Sequence, residues 1–319
     1  MDGILIIDKP ADWTSHDVVA RCRRILKTKR IGHTGTLDPF ATGVMVLLIG
    51  KATRLAQFLD KDRKEYEAVV RLGFETDTGD LTGSAKCKVQ SAKFVSVDEI
   101  EKVLAKFRGE ILQTPPMYSA KKVAGKKLYE LARKGIKIER EPFAIKIYEL
   151  QIMENGKGKT ENKEKEIADG ELQKTSDDFG LWTLDFGLKV SCSAGTYIRA
   201  LAEDIGRELK TGAHLAALRR TRAGKFDLSQ AVTLEKLEEI VAENGLDKIL
   251  ISLNAALGHL PEKKLSADEV VKVKNGMKIF ADEIIDDRAW RLTGENENLI
   301  AVGFVDATEK IIQTKIVLV

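Results

Sequence analysis

The sequence contains few residues that bind metals or form disulfides. Its three cysteines, Cys22, Cys87 and Cys192, are far apart and form no Cys-x-x-Cys pair, and its four histidines are not clustered. This composition indicates neither a zinc site nor a disulfide framework. No apolar run reaches the roughly 18 residues that span a bilayer, and the N-terminus carries an acid where a signal peptide carries bases. We therefore expect a cytoplasmic protein with no membrane partner.

Three common enzyme motifs are also missing. The segment Gly50-Lys51-Ala52-Thr53 resembles the end of a P-loop, but Met45 stands where that loop needs a glycine and Ala52 where it needs a hydroxyl. No Gly-x-Gly-x-x-Gly occurs at a strand-to-helix turn, and no Gly-x-Ser-x-Gly elbow is found. The sequence thus disfavours nucleotide hydrolysis, dinucleotide binding and serine hydrolase chemistry.

An excess of one charge is missing as well. The 319 residues include 52 basic and 49 acidic side chains, a net charge of +3. This balance does not by itself indicate a polyanionic partner, so any nucleic-acid surface must be local. The length predicts one large domain, or a large domain with a small one.

Strands and helices are predicted in irregular order, which favours an α+β fold. We predict strands over 3–7, 44–49, 65–72, 143–153 and 181–192. We predict helices from Thr14 or Ser15 onward, over 52–59, over 96–107, over 197–209 and over 234–241. The first helix carries apolar residues on one face and arginines and lysines on the other. The glycine-rich stretch 32–44 is predicted to be a loop before a strand.

The chain changes character between Gly258 and Pro261. A capping box at Ser266 to Glu269 predicts one helix, and strands follow over 299–305 and 310–319. We therefore predict a domain over 1–258 and a small module over 259–319. Residues 155–178 hold five lysines against seven acids, a net charge of −2, and almost no large apolar residues. They predict a polar, flexible excursion that does not favour contact with RNA.

Asp38 is the one acidic residue in the stretch Gly-His-Thr-Gly-Thr-Leu-Asp-Pro-Phe-Ala-Thr-Gly-Val, which begins at Gly32. The glycines permit positive φ or close approach of another segment, and Pro39 restricts Asp38 away from the α region. Asp38 is thus held in a fixed, non-helical pose. An Asp-Pro in a loop commonly forms an Asx-turn, whereas a fixed carboxylate can also serve catalysis. The residues alone leave both interpretations open.

The stretch GHTGTLDPFATGVMVLLIGKATRL resembles the catalytic motif of the TruB family of tRNA pseudouridine synthases. The blocks KEYEAVVRLG with TDTGD, TPPMYSAKKVAGKKLYELARKG, SAGTYIRALAEDIG and GAHLAALRRTRAG resemble its other motifs in the same order. The resemblance covers most of residues 1–225. It implies a catalytic domain with a mixed, largely antiparallel sheet, an inserted basic RNA-binding loop at about 114–140, and a small PUA-like β-rich module at the C-terminus.

The resemblance also implies the reaction. One uridine in the T arm of tRNA, expected at position 55, would be isomerised to pseudouridine without metal or cofactor, with Asp38 as the essential carboxylate. Breaking the C1′–N1 bond and rejoining the base through C5 needs an anion beside the nucleotide. The sequence does not choose between attack on C1′, attack on C6 and removal of the C2′ proton.

Other site residues follow from the motif positions. Arg199 matches the arginine that pairs with the catalytic carboxylate, and such a pair lowers a carboxylate pKa by roughly 1–3 units. Tyr66 matches the tyrosine that stacks on the target uracil and can take the C5 proton. The resemblance implies further substrate contacts from His33, beside the flipped nucleotide, from Tyr197 and Leu218, which wall the base pocket, and from Asp80 in the polar network.

Two basic clusters are predicted to hold the RNA backbone, one between Lys121 and Lys137 and one formed by Arg219, Arg220, Arg222 and Lys225. Seven basic residues and one acid between Lys121 and Lys137 give a local charge of +6. We assign phosphate contacts to Lys121, Lys122, Lys126, Lys127, Arg133, Lys134, Arg219 and Arg220. The C-terminal module is expected to touch the acceptor end, and the protein to act as a monomer.

Two alternatives remain at this stage. The chain could be the catalytic subunit of an RNA-guided pseudouridylation particle, although the basic block at 114–135 favours a stand-alone enzyme. It could also be a non-catalytic tRNA-binding protein or folding chaperone, although intact Asp38, Tyr66 and Arg199 argue against pure binding.

Overall fold

A computed structural model describes residues 1–60, 62–88, 95–119, 121–123, 125–136, 138–153, 174–176, 182–281, 288–306 and 308–318. Of the excursion predicted at 155–178, only 174–176 belong to these residues. Leu181, predicted to begin a strand, and Lys137 of the basic insertion lie outside the described residues.

Strands and helices follow one another in irregular order, in agreement with the α+β prediction. The strands are β1 (Gly3–Lys9), β2 (Ile31–Thr34), β3 (Thr42–Ile49), β4 (Lys64–Leu72), β5 (Phe74–Thr76), β6 (Ala85–Lys88), β7 (Gly109–Gln113), β8 (Lys122–Val123), β9 (Lys126–Lys127), β10 (Phe143–Ile152), β11 (Lys174–Ser176), β12 (Trp182–Cys192), β13 (Ala213–Ala223), β14 (Phe226–Asp227), β15 (Glu262–Lys264), β16 (Ile279–Phe280), β17 (Ala289–Thr293), β18 (Leu299–Asp306) and β19 (Ile311–Val317). The α-helices are α1 (Ser15–Ile25), α2 (Ala56–Leu59), α3 (Val97–Ala105), α4 (Leu128–Ala132), α5 (Ile198–Glu208), α6 (Leu234–Ala242), α7 (Leu253–Ala256) and α8 (Ala267–Lys274). Short 3-10 helices cover Gly50–Leu55, Leu228–Gln230 and Leu246–Lys248.

The main sheet confirms the predicted mixed, largely antiparallel architecture. Its strand order is β1-β3-β13-β4-β12-β10-β7, with β2, β11 and β14 paired beside this path. Among its described strand pairs, β3 and β13 are parallel and the others antiparallel. Strand β4 alternates between buried and half-buried residues because one face packs under α5 and the other meets solvent. The site strands β4 and β13 therefore lie at the centre of the sheet.

Strands β1 and β3 contain continuous apolar runs, over residues 4–7 and 44–49, because both of their faces are covered. On one face, α1 and α6 pack over Leu5 and Leu47. On the other face, residues of the C-terminal sheet and of the 50–59 segment pack over Ile4 and Val46. Continuous apolar runs are typical of strands that are buried on both sides.

Two local predictions were wrong. The stretch 32–44 is not one loop, because β2 covers Gly32 to Thr34 and β3 begins at Thr42. The backbone of β2 pairs with β3, with His33 opposite Leu47, and this pairing outweighs the low strand propensity of glycine. The helix predicted over 52–59 is a 3-10 helix followed by the single turn of α2.

The C-terminal residues form a separate sheet with the order β15-β17-β18-β19-β16, together with α8. Leu265, Val273 and Leu292 contribute to a small core of its own. Val302 and Ile316, in contrast, join the core over β1 and β3. The sheet is thus a distinct element that packs tightly on the larger one. None of the helices in the described ranges has both the length and the apolar character needed to cross a bilayer.

Candidate active site around Asp38

Asp38 lies in a tight turn that joins β2 to β3. The amide of Ala41 donates to the carbonyl of Asp38 at 3.1 Å, and the Ser15 side chain exchanges hydrogen bonds with the backbone of Leu37 at 2.9 and 3.1 Å. Gly43 ends the turn with φ +100°, and a Cβ there would lie 2.2 Å from the carbonyl oxygen of Arg220. The turn is thus fixed by contacts from α1 and β13.

Two buried cations clamp the backbone of this turn. Lys9, with no exposed surface, donates from Nζ to the carbonyl of Pro39 at 2.9 Å. Arg220, 1% exposed, donates to the carbonyls of Gly35 at 2.9 Å and Val44 at 2.7 Å, one on each side of the turn. Burial lowers the pKa of Lys9 to about 8. Sequence reasoning missed Lys9, because a lysine before a turn is usually solvated.

Arg199 binds the Asp38 carboxylate with two contacts. Its Nε lies 2.8 Å from Oδ2, and its Nη2 donates to Oδ1 at 3.1 Å. The Arg199 side chain is 5% exposed, and Nη1 lies 3.6 Å from Oδ2 of the buried Asp80. The guanidinium also donates to the carbonyls of Thr78 and Tyr118, each at 2.7 Å. The structure therefore brings the three predicted members of the network, Asp38, Arg199 and Asp80, into contact.

The electrostatics of Asp38 differ from the prediction. Burial raises the pKa of the Asp38 carboxyl above its ordinary value, while Arg199 opposes this rise and the charge of Asp80 adds to it. Arg199 therefore lowers the pKa of Asp38 as predicted, but burial outweighs this effect. The side chain is still 34% exposed, so the carboxylate is accessible from solution although burial disfavours its charge.

Tyr66 and Leu218 lie next to each other on the same face of the sheet. The registers pair Tyr66 with Arg220 and Leu218 with Ala68 on neighbouring strands, and both side chains are 8% exposed. Burial raises the pKa of the Tyr66 hydroxyl, and the charge and hydrogen bond of Arg220 oppose that rise. Sequence reasoning did not anticipate this second role of Arg220.

Tyr197 is the residue before α5, two positions from Arg199. Its amide donates to the side-chain oxygen of Gln113 at 2.8 Å, and its carbonyl accepts from the Gln113 amide at 3.1 Å. Its ring meets that of Phe143 edge to face at 6.4 Å. The tyrosine is thereby held at the end of α5 where Arg199 reaches Asp38.

His33 lies on β2, on the same sheet face as Tyr66. Tyr66 pairs with Arg220, and Arg220 pairs with Gly43 on β3. Leu47 lies four residues after Gly43 on the same strand and therefore points to the same face. Leu47 in turn pairs with His33. Burial and the nearby charge of Arg220 lower the pKa of His33. Its buried Nδ1 has no hydrogen-bond partner among the described residues. The lowered pKa favours the neutral ring, so His33 is poorly suited to act as a proton donor.

Of the two predicted phosphate contacts on β13, the structure contradicts that of Arg220 and places Arg219 away from Tyr66. Arg220 is 1% exposed and donates to backbone carbonyls, so it cannot reach a phosphate. Arg219 pairs with Glu67 and Thr42 on the opposite face of the sheet, where it binds Asp8 at 2.7 Å. Arg219 and Arg220 are consecutive residues of one strand, so their side chains point to opposite faces of the sheet.

The basic insertion lies beside the site, next to Tyr118, whose carbonyl accepts from Arg199. Lys121 sits over the ring of Phe143, 4.1 Å from its centroid, and Arg133 over that of Tyr129 at 5.5 Å. Lys126, Arg133 and Lys134 are exposed. The side chains of Lys122 and Lys127 are outside the described part of the structure. Over the described residues, no group of three or more His, Cys, Asp or Glu side chains is arranged to hold a metal ion.

Two family models match the chain. Residues 23–198 match the N-terminal domain of the TruB family pseudouridylate synthases, and residues 199–258 match the C-terminal domain of tRNA pseudouridylate synthase B. The chain is 43% identical over 311 residues to tRNA pseudouridine synthase B of Solibacter usitatus strain Ellin6076, covering 96% of each protein. It is 44% identical over 296 residues to the protein of that name from Geobacillus kaustophilus strain HTA426, covering 93% of this chain and 95% of the relative.

Solved structures are similar over nearly the whole chain. A Cbf5-Nop10-Gar1 complex contains a chain that matches with a TM-score of 0.70 and 26% identity, covering 99% of this chain and 85% of the other. An H/ACA RNP bound to a substrate RNA containing 2′-deoxyuridine matches with a TM-score of 0.69 and 25% identity, with the same coverage.

Proposed function

The chain belongs to the TruB family of pseudouridylate synthases, and we propose that it isomerises one uridine in the T arm of tRNA to pseudouridine at the site around Asp38. The relatives that share 40–44% of its sequence are named for action on tRNA. The observation that carries the assignment of the site is the two-point contact between Asp38 and Arg199 at the edge of a buried polar network.

The reaction rearranges the nucleotide without adding or removing atoms. The C1′–N1 bond breaks, C1′ bonds to C5, the C5 proton leaves and N1 gains a proton. Asp38 supplies the anion beside the sugar, because a poorly solvated carboxylate is a better nucleophile or base than a hydrated one. Arg199 holds the carboxylate in place and in its charged form.

The remaining site residues hold the extruded base. Tyr66 stacks on the uracil, and Arg220 beside its hydroxyl favours the negative charge that Tyr66 needs to accept the C5 proton. Tyr197 and Leu218 form walls of the pocket. His33, a neutral ring at the edge of the sheet, fills the space that the target base leaves, and thereby offsets part of the few kcal/mol that extrusion costs.

The RNA backbone is held by the insertion that contains Lys121, Lys126, Arg133 and Lys134, together with Lys122 and Lys127. The module at 259–319 binds towards the acceptor end, and the catalytic domain spans 1–258. The enzyme acts as a monomer in the cytoplasm. Activity without a guide RNA fits the identities better than an RNA-guided particle does, since the particle proteins share only 25–26% of the sequence.

A mapping experiment with defined transcripts tests this proposal. Purified protein is incubated with unmodified tRNA transcript, without guide RNA or cofactor, and pseudouridine is mapped at each uridine. We expect modification of one uridine in the T arm, and none when that uridine is replaced by cytidine. Modification only after another RNA is added, or at a uridine outside the T arm, would contradict the proposal.

A further inference from the structure

Residues 21–30 form a second strongly basic segment, in addition to the insertion. This segment contains six arginines and lysines and no acid. The insertion and this segment each carry an excess of six positive charges, whereas the whole chain carries +3. The rest of the chain is therefore net acidic, and positive charge is concentrated at two places.

The side chains of this segment and of the following 3-10 helix form one surface. Arg30 donates to Thr53 Oγ1 at 3.0 Å, and the amide of Gly50 donates to the Arg30 carbonyl at 2.8 Å. We call this surface, which lies at the end of α1 and beside β2, the α1–β2 surface. It comprises Arg24, Lys27, Lys29, Arg30, Lys51 and Arg54.

Two acids border the α1–β2 surface, since Glu238 pairs with Arg21 and Asp2 accepts from the Lys51 amide. Within the described residues no carboxylate forms an ion pair with the six side chains of the surface itself, and five of the six residues are exposed. The outer face of the sheet differs, because Arg71 pairs there with Asp185, and Arg222 with Glu65 and Asp227. Unpaired positive charge confined to one surface indicates a polyanionic partner.

Lys27 is a position where the charge can be removed without loss of backbone fit. Lys27 follows the C-cap of α1 with φ +48°, a conformation that glycine adopts far more easily than a lysine does. Lys210 follows the C-cap of α5 in the same way, with φ +60°. Replacing either lysine by glycine removes one charge and relieves the backbone, so the two positions form a matched pair for an experiment.

The two basic segments lie at opposite ends of the main sheet. The insertion connects β7 and β10 at one end, whereas the α1–β2 surface borders β3 at the other. The site strands β13 and β4 lie between them. From β3 to β10 there are four strand spacings, about 19 Å in total, which is comparable with the width of a double-helical RNA stem. Arg54 also donates to the carbonyl of Val317, so this surface adjoins the C-terminal sheet.

We propose that the α1–β2 surface binds phosphates of the tRNA stem that leads away from the target loop, so that the RNA helix is held from both sides of the site. This inference rests on the proposed function, because it takes tRNA as the partner. It adds a second binding surface that contributes affinity and leaves the chemical step unchanged.

Binding to unmodified tRNA transcript over a salt series tests the proposal. Each phosphate contact that is lost should reduce the slope of log K against log salt by about one. We expect that reduction for Lys27→Gly, about three times as much for the triple variant Arg24→Gln, Lys27→Gly, Lys29→Gln, and none for Lys210→Gly. The triple variant should raise KM and keep the kcat measured at saturating tRNA.

Two results would overturn the proposal. A wild-type slope in the triple variant would show that the surface does not contact RNA, and an equal effect of Lys27→Gly and Lys210→Gly would show a non-specific charge effect. Thermal unfolding checks that both glycine variants are folded. Pseudouridine formation by the wild type is followed in the same reactions, so failure of the proposed activity is seen separately from failure of the surface.

Discussion

Two opposing effects act on the pKa of Asp38, and their balance sets the pH range in which the enzyme is active. Burial raises the pKa of its carboxyl and Arg199 opposes the rise. The reaction needs the ionised form, so activity should fall as the pH decreases through this raised pKa. The acid limb of the pH–rate profile should therefore lie above the ordinary aspartate value of about 3.9.

Removing the positive charge of Arg199 should shift the acid limb of the pH–rate profile to higher pH. In Arg199→Gln the opposing influence is lost, so the Asp38 pKa rises and activity disappears at a higher pH than in the wild type. Arg199→Lys keeps a charge but cannot make the two-point contact, and should show a smaller shift. The measurement is kcat against pH for both variants, with Arg207→Gln on the exposed side of α5 as control. An acid limb that does not move in Arg199→Gln would contradict this account.

Lys9 should give the protein a recognisable dependence of stability on pH. Its pKa is about 8 in the folded protein and 10.5 without burial, so the unfolded chain binds more protons between these values. The free energy of unfolding should then rise with pH across this window, by at most about 3 kcal/mol from this group. Urea unfolding at pH 8 and pH 10 should show a smaller rise for Lys9→Met than for the wild type. An equal rise in the free energy of unfolding of the two proteins would contradict the conclusion that burial lowers the pKa of Lys9.

Residue types alone predicted little of this site. An arginine at a helix start is poorly explained by the helix dipole and singles out Arg199, whereas Asp38 stayed open between an Asx-turn and catalysis. Asp80 was identified only through the family resemblance. Arg219 and Arg220 could not be separated from the sequence, since their difference depends on which sheet face each one meets. Lys9 could not be found, because only the folded turn brings the Pro39 carbonyl to its Nζ.

At the scale of the element, the junction between the Asp38 turn and β3 depends on Gly43. An added Cβ would meet the Arg220 carbonyl at 2.2 Å in a conformation, φ +100°, that other residues rarely adopt. Gly43→Ala should therefore destabilise the protein by at least about 2 kcal/mol. Gly276→Ala is the control, because Gly276 has φ +72° but nothing within 4 Å of the added atom. Chemical unfolding of both variants makes the comparison, and equal losses would contradict the tight contact at Gly43.

The elements that the sequence predicted well have clear periodicity. α1 has its apolar residues on one face, and β4 alternates along its whole length. β2 was missed because Gly32, His33 and Thr34 have no apolar pattern, and their strand conformation comes from pairing with β3. Strands of two or three residues, such as β15 and β16, have too few side chains to show any period.

At the scale of the whole molecule, the C-terminal sheet contributes apolar residues to the core over β1 and β3, in addition to the RNA contact that we propose for it. Val302, Ile316 and Leu318 pack in the same cluster as Ile4 and Val46. A chain ending at Gly258 should therefore melt at a lower temperature than the full protein and bind an apolar dye, since it exposes this surface. A truncated chain with the melting temperature of the full protein would contradict this shared core.

The helix α8 and the strands β18 and β19 were predictable from a capping box and two apolar runs. The shared core was not, because Val302 and Ile316 look in sequence like residues of the module's own interior. Their packing against β1 and β3 can be recognised only once both faces of those two strands are known to be buried.

The most direct test of the central claim compares the wild type with Asp38→Asn, a substitution of nearly equal shape that removes the charge. Both proteins are incubated with unmodified tRNA transcript, and pseudouridine formation and tRNA binding are measured in parallel. We expect the wild type to modify the tRNA and Asp38→Asn to bind it with similar affinity but form no pseudouridine. Pseudouridine formation by Asp38→Asn at the wild-type rate would contradict the assignment of Asp38 as the catalytic carboxylate.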